Sequence, residues 1–129
     1  MTVDVDRFTR VLAQRLAAIV PAGIHVEAGD GMLRYSADEH AGPSGTHMRD
    51  NFGVYGETDE DNLVGLAVQA LDELQDYVSE ATRDPWPGAT RQPRPRAEIR
   101  DGALYAWYGD DGATVLGCAP IPLADLAGR

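Results

Sequence analysis

From Phe8 onward, apolar residues recur at Val11, Leu12, Leu16, Ile19 and Val20, the three-and-four spacing of a helix with one buried face. Asp4 or Asp6 can cap its start, and Pro21 to Gly23 ends it. Ile24, Val26 and Ala28 then alternate with His25 and Glu27, and Gly29-Asp30-Gly31 turns the chain into Met32-Leu33-Arg34-Tyr35, so a β-hairpin is expected. Between 38 and 56 glycine, proline and polar residues dominate. That stretch reads mostly as loop, with a weak third strand around Phe52, Val54 and Tyr55.

The clearest helical pattern runs over 59–82. Leu63, Leu66, Ala67, Ala70, Leu71, Leu74 and Val78 fall on one stripe, with Asp72, Glu73, Asp76 and Glu80 outside it. Thr58 and Asp61 form a capping-box-like start, and Glu57, Asp59 and Glu60 complement the positive end of the helix dipole. Asp84-Pro85-Trp86-Pro87-Gly88 stops the helix, and Pro93 and Pro95 keep the following connector extended. Three short strands are expected next, over 97–100, 103–108 and 114–118, joined by Asp101-Gly102 and by Gly109-Asp110-Asp111-Gly112. Pro120 and Pro122 end pairing, leaving Leu123-Ala124-Asp125-Leu126 as a terminal turn.

Helix, strands, helix, strands in that order predict an α+β two-layer sandwich: an antiparallel sheet with both main helices on one face, in the order α-β-β-(β)-α-β-β-β. Asp30-Gly31-Met32-Leu33 and Asp101-Gly102-Ala103-Leu104 echo each other, but Asp-Gly is what any tight hairpin selects, so two independent hairpins are expected rather than a duplication. At 129 residues, a single domain over 1–129 is the natural size.

Composition narrows the chemistry. The chain has no lysine and one cysteine, Cys118, which removes a Schiff-base amine, a P-loop lysine, a CxxC redox pair and a cysteine-rich zinc site. An acidic N-terminal stretch and an unpaired cysteine in an apolar segment point to a cytoplasmic protein without a signal peptide. The formal net charge of -10 makes nucleic acid and anionic membranes poor partners. Basic charge gathers at Arg83, Arg91, Arg94, Arg96 and Arg100, the one anion-facing stretch.

No set of residues has the spacing of a catalytic or metal site. His40 and His47 flank a stretch that also holds Asp38, Glu39 and Asp50, but His-x6-His on a glycine-rich loop does not preorganise a tetrahedron, and His25 belongs to a strand. Ser44 follows a proline and lacks the strand-turn-helix frame of a nucleophile elbow. The acids at 57–61 fit capping better than cation binding, and Asp110 and Asp111 suit a turn. No catalytic residue, metal or cofactor is assigned on this basis.

More informative is the strand at 103–108, with Leu104 and Tyr108 on one face and Tyr105 and Trp107 on the other. Helices cover one face of a two-layer sheet, so Tyr105 and Trp107, with Arg94, Arg96 and Arg100 nearby, have the composition of a partner-binding surface. Trp86 is counted with this set; the alternative is that Trp86 or the connector folds over that face and completes a satellite cluster. The Arg-Pro connector itself reads either as an acidic-peptide grip or as a solvated linker balancing the acidic helix.

The segments Leu71-Asp72-Glu73-Leu74-Gln75-Asp76-Tyr77-Val78, Asp84-Pro85-Trp86-Pro87, Trp107-Tyr108-Gly109 and Pro120-Ile121-Pro122-Leu123 resemble those of a family of small uncharacterised proteins from high-GC actinobacteria. The resemblance implies a bacterial, cytoplasmic setting and carries no activity. The order of elements is also similar to secretion-chaperone-like α+β folds, an analogy of fold alone. The expected function is a non-enzymatic protein-binding or adaptor/chaperone-like module, engaging a protein partner or itself as a homodimer. The alternative is a small ligand-binding domain or enzyme with a pocket under the 38–56 loop, built from His40, His47, Asp50 and Tyr55.

Overall fold

Helix α1 (Val5–Ala17) starts where the Asp4 carboxylate accepts the Arg7 amide, and it buries Phe8, Leu12, Ala13 and Leu16. It stops before Ile19 and Val20, which pack against the core from the link that follows. The computed structural model of the chain describes residues 2–88, 93–110 and 113–128. Arg91 and Asp111 lie outside the described residues. Strands β1 (Ile24–Gly29) and β2 (Met32–Ala37) form the expected hairpin, with Asp30 and Gly31 both at positive φ, as a two-residue turn that follows the twist of its strands requires.

The third strand lies elsewhere than expected. β3 (His40–His47) pairs antiparallel with β2, whereas Phe52, Val54 and Tyr55 sit in turns. Glycine and proline obscured β3: among the described residues its other edge carries no strand, and an edge strand can hold Pro43 without losing a ladder bond. Gly45 is required there, since a Cβ would fall 2.5 Å from the Leu33 carbonyl oxygen.

The 53–56 turn is organised by Asn62, which is almost fully buried. Its side-chain oxygen accepts the amides of Gly53 and Tyr55, and its amide nitrogen donates to the carbonyls of Gly56 and Thr58. Helix α2 (Asp59–Thr82) spans the expected residues, with Thr58 Oγ1 accepting the Asp61 amide at 3.0 Å. Such a cap is worth about 1 kcal/mol. Asp59 also accepts the Val3 amide, tying the N-terminal segment to the start of α2.

After α2 the connector is held to the helix at both described ends. The Trp86 amide donates to Ser79 Oγ, and Gln75 Nε2 donates to the Pro93 carbonyl. Then follow β4 (Pro95–Arg100), β5 (Ala103–Asp110) and β6 (Ala113–Gly117), an antiparallel meander with its own positive-φ Asp101-Gly102 turn. Pro120 and Pro122 do not end pairing. β7 (Ile121–Pro122) returns to the edge of β5 that β6 leaves open, with Leu104 opposite Ile121, and Leu123–Leu126 forms a 3-10 turn. Proline is tolerated because this two-residue strand lies at the sheet edge.

The architecture is α+β, with two helices packed against antiparallel sheet in the order α-β-β-β-α-β-β-β before the short β7. Hydrogen bonding divides the strands into a β1-β2-β3 ladder and a second ladder built on β4-β5-β6, and α2 lies against both. No described helix is long and apolar enough to cross a membrane.

Candidate functional site: the outer face of the second sheet

Alternation along β5 sends Leu104, Ala106 and Tyr108 inward and Tyr105 and Trp107 outward. The Tyr108 hydroxyl donates to the Leu71 carbonyl of α2 at 2.7 Å, which fixes the helix on the Leu104 side. Tyr105 and Trp107 are half-buried by their own sheet and take no part in the core cluster. Register then decides what surrounds them. On β4, Arg96 stands opposite Trp107, Glu98 opposite Tyr105 and Arg100 opposite Ala103, so the three charged side chains share the outer face while Ala97 and Ile99 turn to the core. Arg94 lies one residue before β4 and is exposed.

Within this face the Arg100 guanidinium lies 4.2 Å from the centre of the Tyr105 ring and 3.2 Å from a Glu98 carboxylate oxygen. Cation–π contact and ion pair together hold the guanidinium flat against the sheet. Glu98, Arg100, Tyr105, Trp107, Thr114 and Cys118 border a groove of about 440 Å³. Gly117, opposite Trp107, leaves the indole unobstructed across the strand pair. Cys118 forms part of the wall, its amide bonded to the Ala106 carbonyl. Burial pushes its thiol up to about 11, only partly offset by Arg15. A protonated thiol is a poor nucleophile, so the wall is chemically inert.

Four residues singled out in the sequence, Tyr105, Trp107, Arg96 and Arg100, therefore meet on one face, and Arg94 lies exposed next to it at the start of β4. Trp86 does not join them. Its indole packs edge-on to Tyr108 with ring centres 5.2 Å apart, on the helix side of β5, so Trp86 adds to the core there and not to the outer face. Edge packing of this kind satisfies an aromatic pair without stacking.

The residues of the alternative pocket are not brought together. His40 and His47 stand at opposite ends of β3, roughly 23 Å apart at about 3.3 Å per residue. His47 approaches Asp50, with Nδ1 3.8 Å from the carboxylate, while the Tyr55 ring lies over Gly65 and its hydroxyl donates to Gln69. His25, by contrast, pairs with Asp38 at 2.8 Å on an exposed edge. Among the described residues, no three His, Cys, Asp or Glu side chains converge as metal ligands.

Sequence reasoning missed two groups. Asn62 organises the 53–56 turn, and its one signal was a polar residue on the inner stripe of α2 beside Leu63. Tyr77 was missed because its helical position reads as ordinary core. It is 5% exposed, yet its hydroxyl has no partner. Comparison with known proteins finds no counterpart: no family model, no curated protein and no solved structure matches the chain.

Proposed function

We propose that this protein is a non-enzymatic, adaptor-like binding module and that the outer face of the second sheet docks an extended, acidic segment of a partner protein through an apolar anchor. The observation that carries this is the groove itself: two large aromatics outside the core, bordered by Arg100 and Glu98 and with Arg96 opposite Trp107, on a chain whose net charge is -10. Aromatics and arginine are the side chains that dominate binding energy at protein interfaces. A second copy docking by the same face would set arginines against arginines. An acidic segment instead neutralises them, and charge complementarity of this kind governs approach and register.

Selection from a random peptide library on the purified chain is expected to enrich sequences with an aromatic or aliphatic residue beside Asp or Glu. Both Trp107→Ala and Arg100→Ala are expected to weaken the enriched peptides about tenfold or more. Neither side chain belongs to the core cluster, so both variants keep the fold. Peptides without acidic residues, or binding indifferent to both substitutions, would sink the proposal. A dimer in solution that Trp107→Ala dissolves would give the face to a second copy instead.

A further inference from the structure

Apart from that face, β3 and α2 border an open trough of about 380 Å³ lined by His40, Ser44, Glu73, Asp76, Tyr77 and Glu80. Glu73, Asp76 and Glu80 follow the three-and-four spacing that places residues on one helix face. Among the described residues, no arginine lies in ion-pair contact with any of the three. One Glu73 oxygen accepts from Gln69 Nε2 at 2.8 Å. The neighbouring Asp72 carboxyl is held above the usual range by burial, then by Asp76 and Glu73, a sign of uncompensated negative charge along this stretch.

A second observation lies in the wall of the trough. The Tyr77 hydroxyl is buried without a hydrogen-bond partner, at a position where Glu80 contributes to raising its pKa after burial itself. The ring is held between Tyr35 on its core side, 6.2 Å away, and His40 at the trough, 5.6 Å away and edge-on. A buried hydroxyl left unpaired is costly, and a donor that entered beside it from the trough would satisfy it.

Charge alone does not name the occupant, but the geometry narrows it. The three carboxylates do not converge on one point as a metal ion requires. They are spread along α2 at separations of three and four residues, roughly 4.5 and 6 Å of helical rise. We propose that the trough binds a linear polyamine, whose ammonium groups, separated by three- and four-carbon spacers, pair in turn with Glu73, Asp76 and Glu80 while one N–H donates to the Tyr77 hydroxyl. Its volume is that of a small-molecule site. The chain has no lysine of its own to fill the trough.

Titration calorimetry with spermidine is the test. One-site binding is expected, weakened about tenfold or more in the Asp76→Asn/Glu80→Gln double variant, as removal of charged hydrogen bonds implies. Tyr77→Phe, which keeps the ring, is expected to weaken it by about threefold to tenfold. Both variants change only side-chain ends, and the double variant relieves repulsion, so the fold is retained. Three results would overturn the proposal: no saturable binding, binding unchanged in the double variant, or equal displacement by Mg²⁺ at matched ionic strength. Tighter binding of a tetralysine peptide than of spermidine would also overturn it, by making the trough a peptide site.

Discussion

Replacing Tyr108 by alanine is expected to remove about 3–5 kcal/mol of stability, the cost of deleting a large buried aromatic. The ring is fully buried, supports the Trp86 indole and sends its hydroxyl to the Leu71 carbonyl. From the first sheet, Tyr35 makes the matching contact: its hydroxyl donates to the Ala70 carbonyl at 3.3 Å and lies 2.6 Å from Thr46 Oγ1. Adjacent carbonyls of α2 thus receive one tyrosine from the middle strand of each ladder. Because, among the described residues, the two ladders are not joined to each other by strand pairing, this helix is a shared support between them. Losing the Tyr108 ring opens a cavity on one side of that support and frees Trp86 at the same time. Tyr108→Phe keeps the ring and removes only the hydroxyl bond, at about 1–1.5 kcal/mol. Urea unfolding followed by Trp emission separates the two. A domain of this size has about 5–15 kcal/mol in hand, so the alanine variant loses a large share of it. Equal losses in both variants would show that the hydroxyl bond, and not ring packing, carries the join.

Much of this arrangement was legible because its causes are local. The stripe from Leu63 to Val78, the Thr58 cap and the two Asp-Gly turns each need only neighbours in sequence to be recognised, and each appears where expected. β3 was hidden for the opposite reason. Its stability comes from pairing with β2 and from packing under α2, while its own residues, Gly42-Pro43-Ser44-Gly45, resemble a loop. β7 was hidden likewise, since two prolines argue against a strand until β5 offers an edge for Ile121. The outer-face cluster was legible because strand alternation alone separates Tyr105 and Trp107 from Leu104 and Tyr108. What alternation does not carry is the path of a proline-rich connector, so the position of Trp86 depended on Ser79 and Tyr108 contacts far along the chain. The trough was illegible for the same reason, because Tyr77 and His40 are 37 positions apart and meet only through the β3 strand that was missed.

Iodoacetamide is expected to modify Cys118 about a hundredfold more slowly in the native protein than in the urea-unfolded chain at pH 8, because the thiolate is the reacting form. The thiol is pushed up to about 11 from an ordinary 9.0, by burial first, with Arg15 pulling weakly the other way. Well below both values, each unit of difference lowers the thiolate fraction about tenfold. The sign carries over to stability. A group whose pKa is raised on folding holds its proton more tightly in the native state, so its contribution is full below pH 9.0 and is lost as pH rises through about 11. Tyr35 and Tyr108 are shifted upward by burial too, which adds to the same alkaline loss. Mass spectrometry of timed alkylation checks the first expectation, and urea midpoints measured at pH 8, 9 and 10 check the second. Equal alkylation rates in native and unfolded protein would mean that the thiol is open to solvent. A neutral Cys118 also matters for docking: the groove wall beside Trp107 carries no thiolate at neutral pH, and the charges that border it are Glu98 and Arg100, with Arg96 opposite Trp107. An acidic segment then meets Arg96 and Arg100, with Glu98 held in its ion pair to Arg100 and no anionic sulfur to repel it.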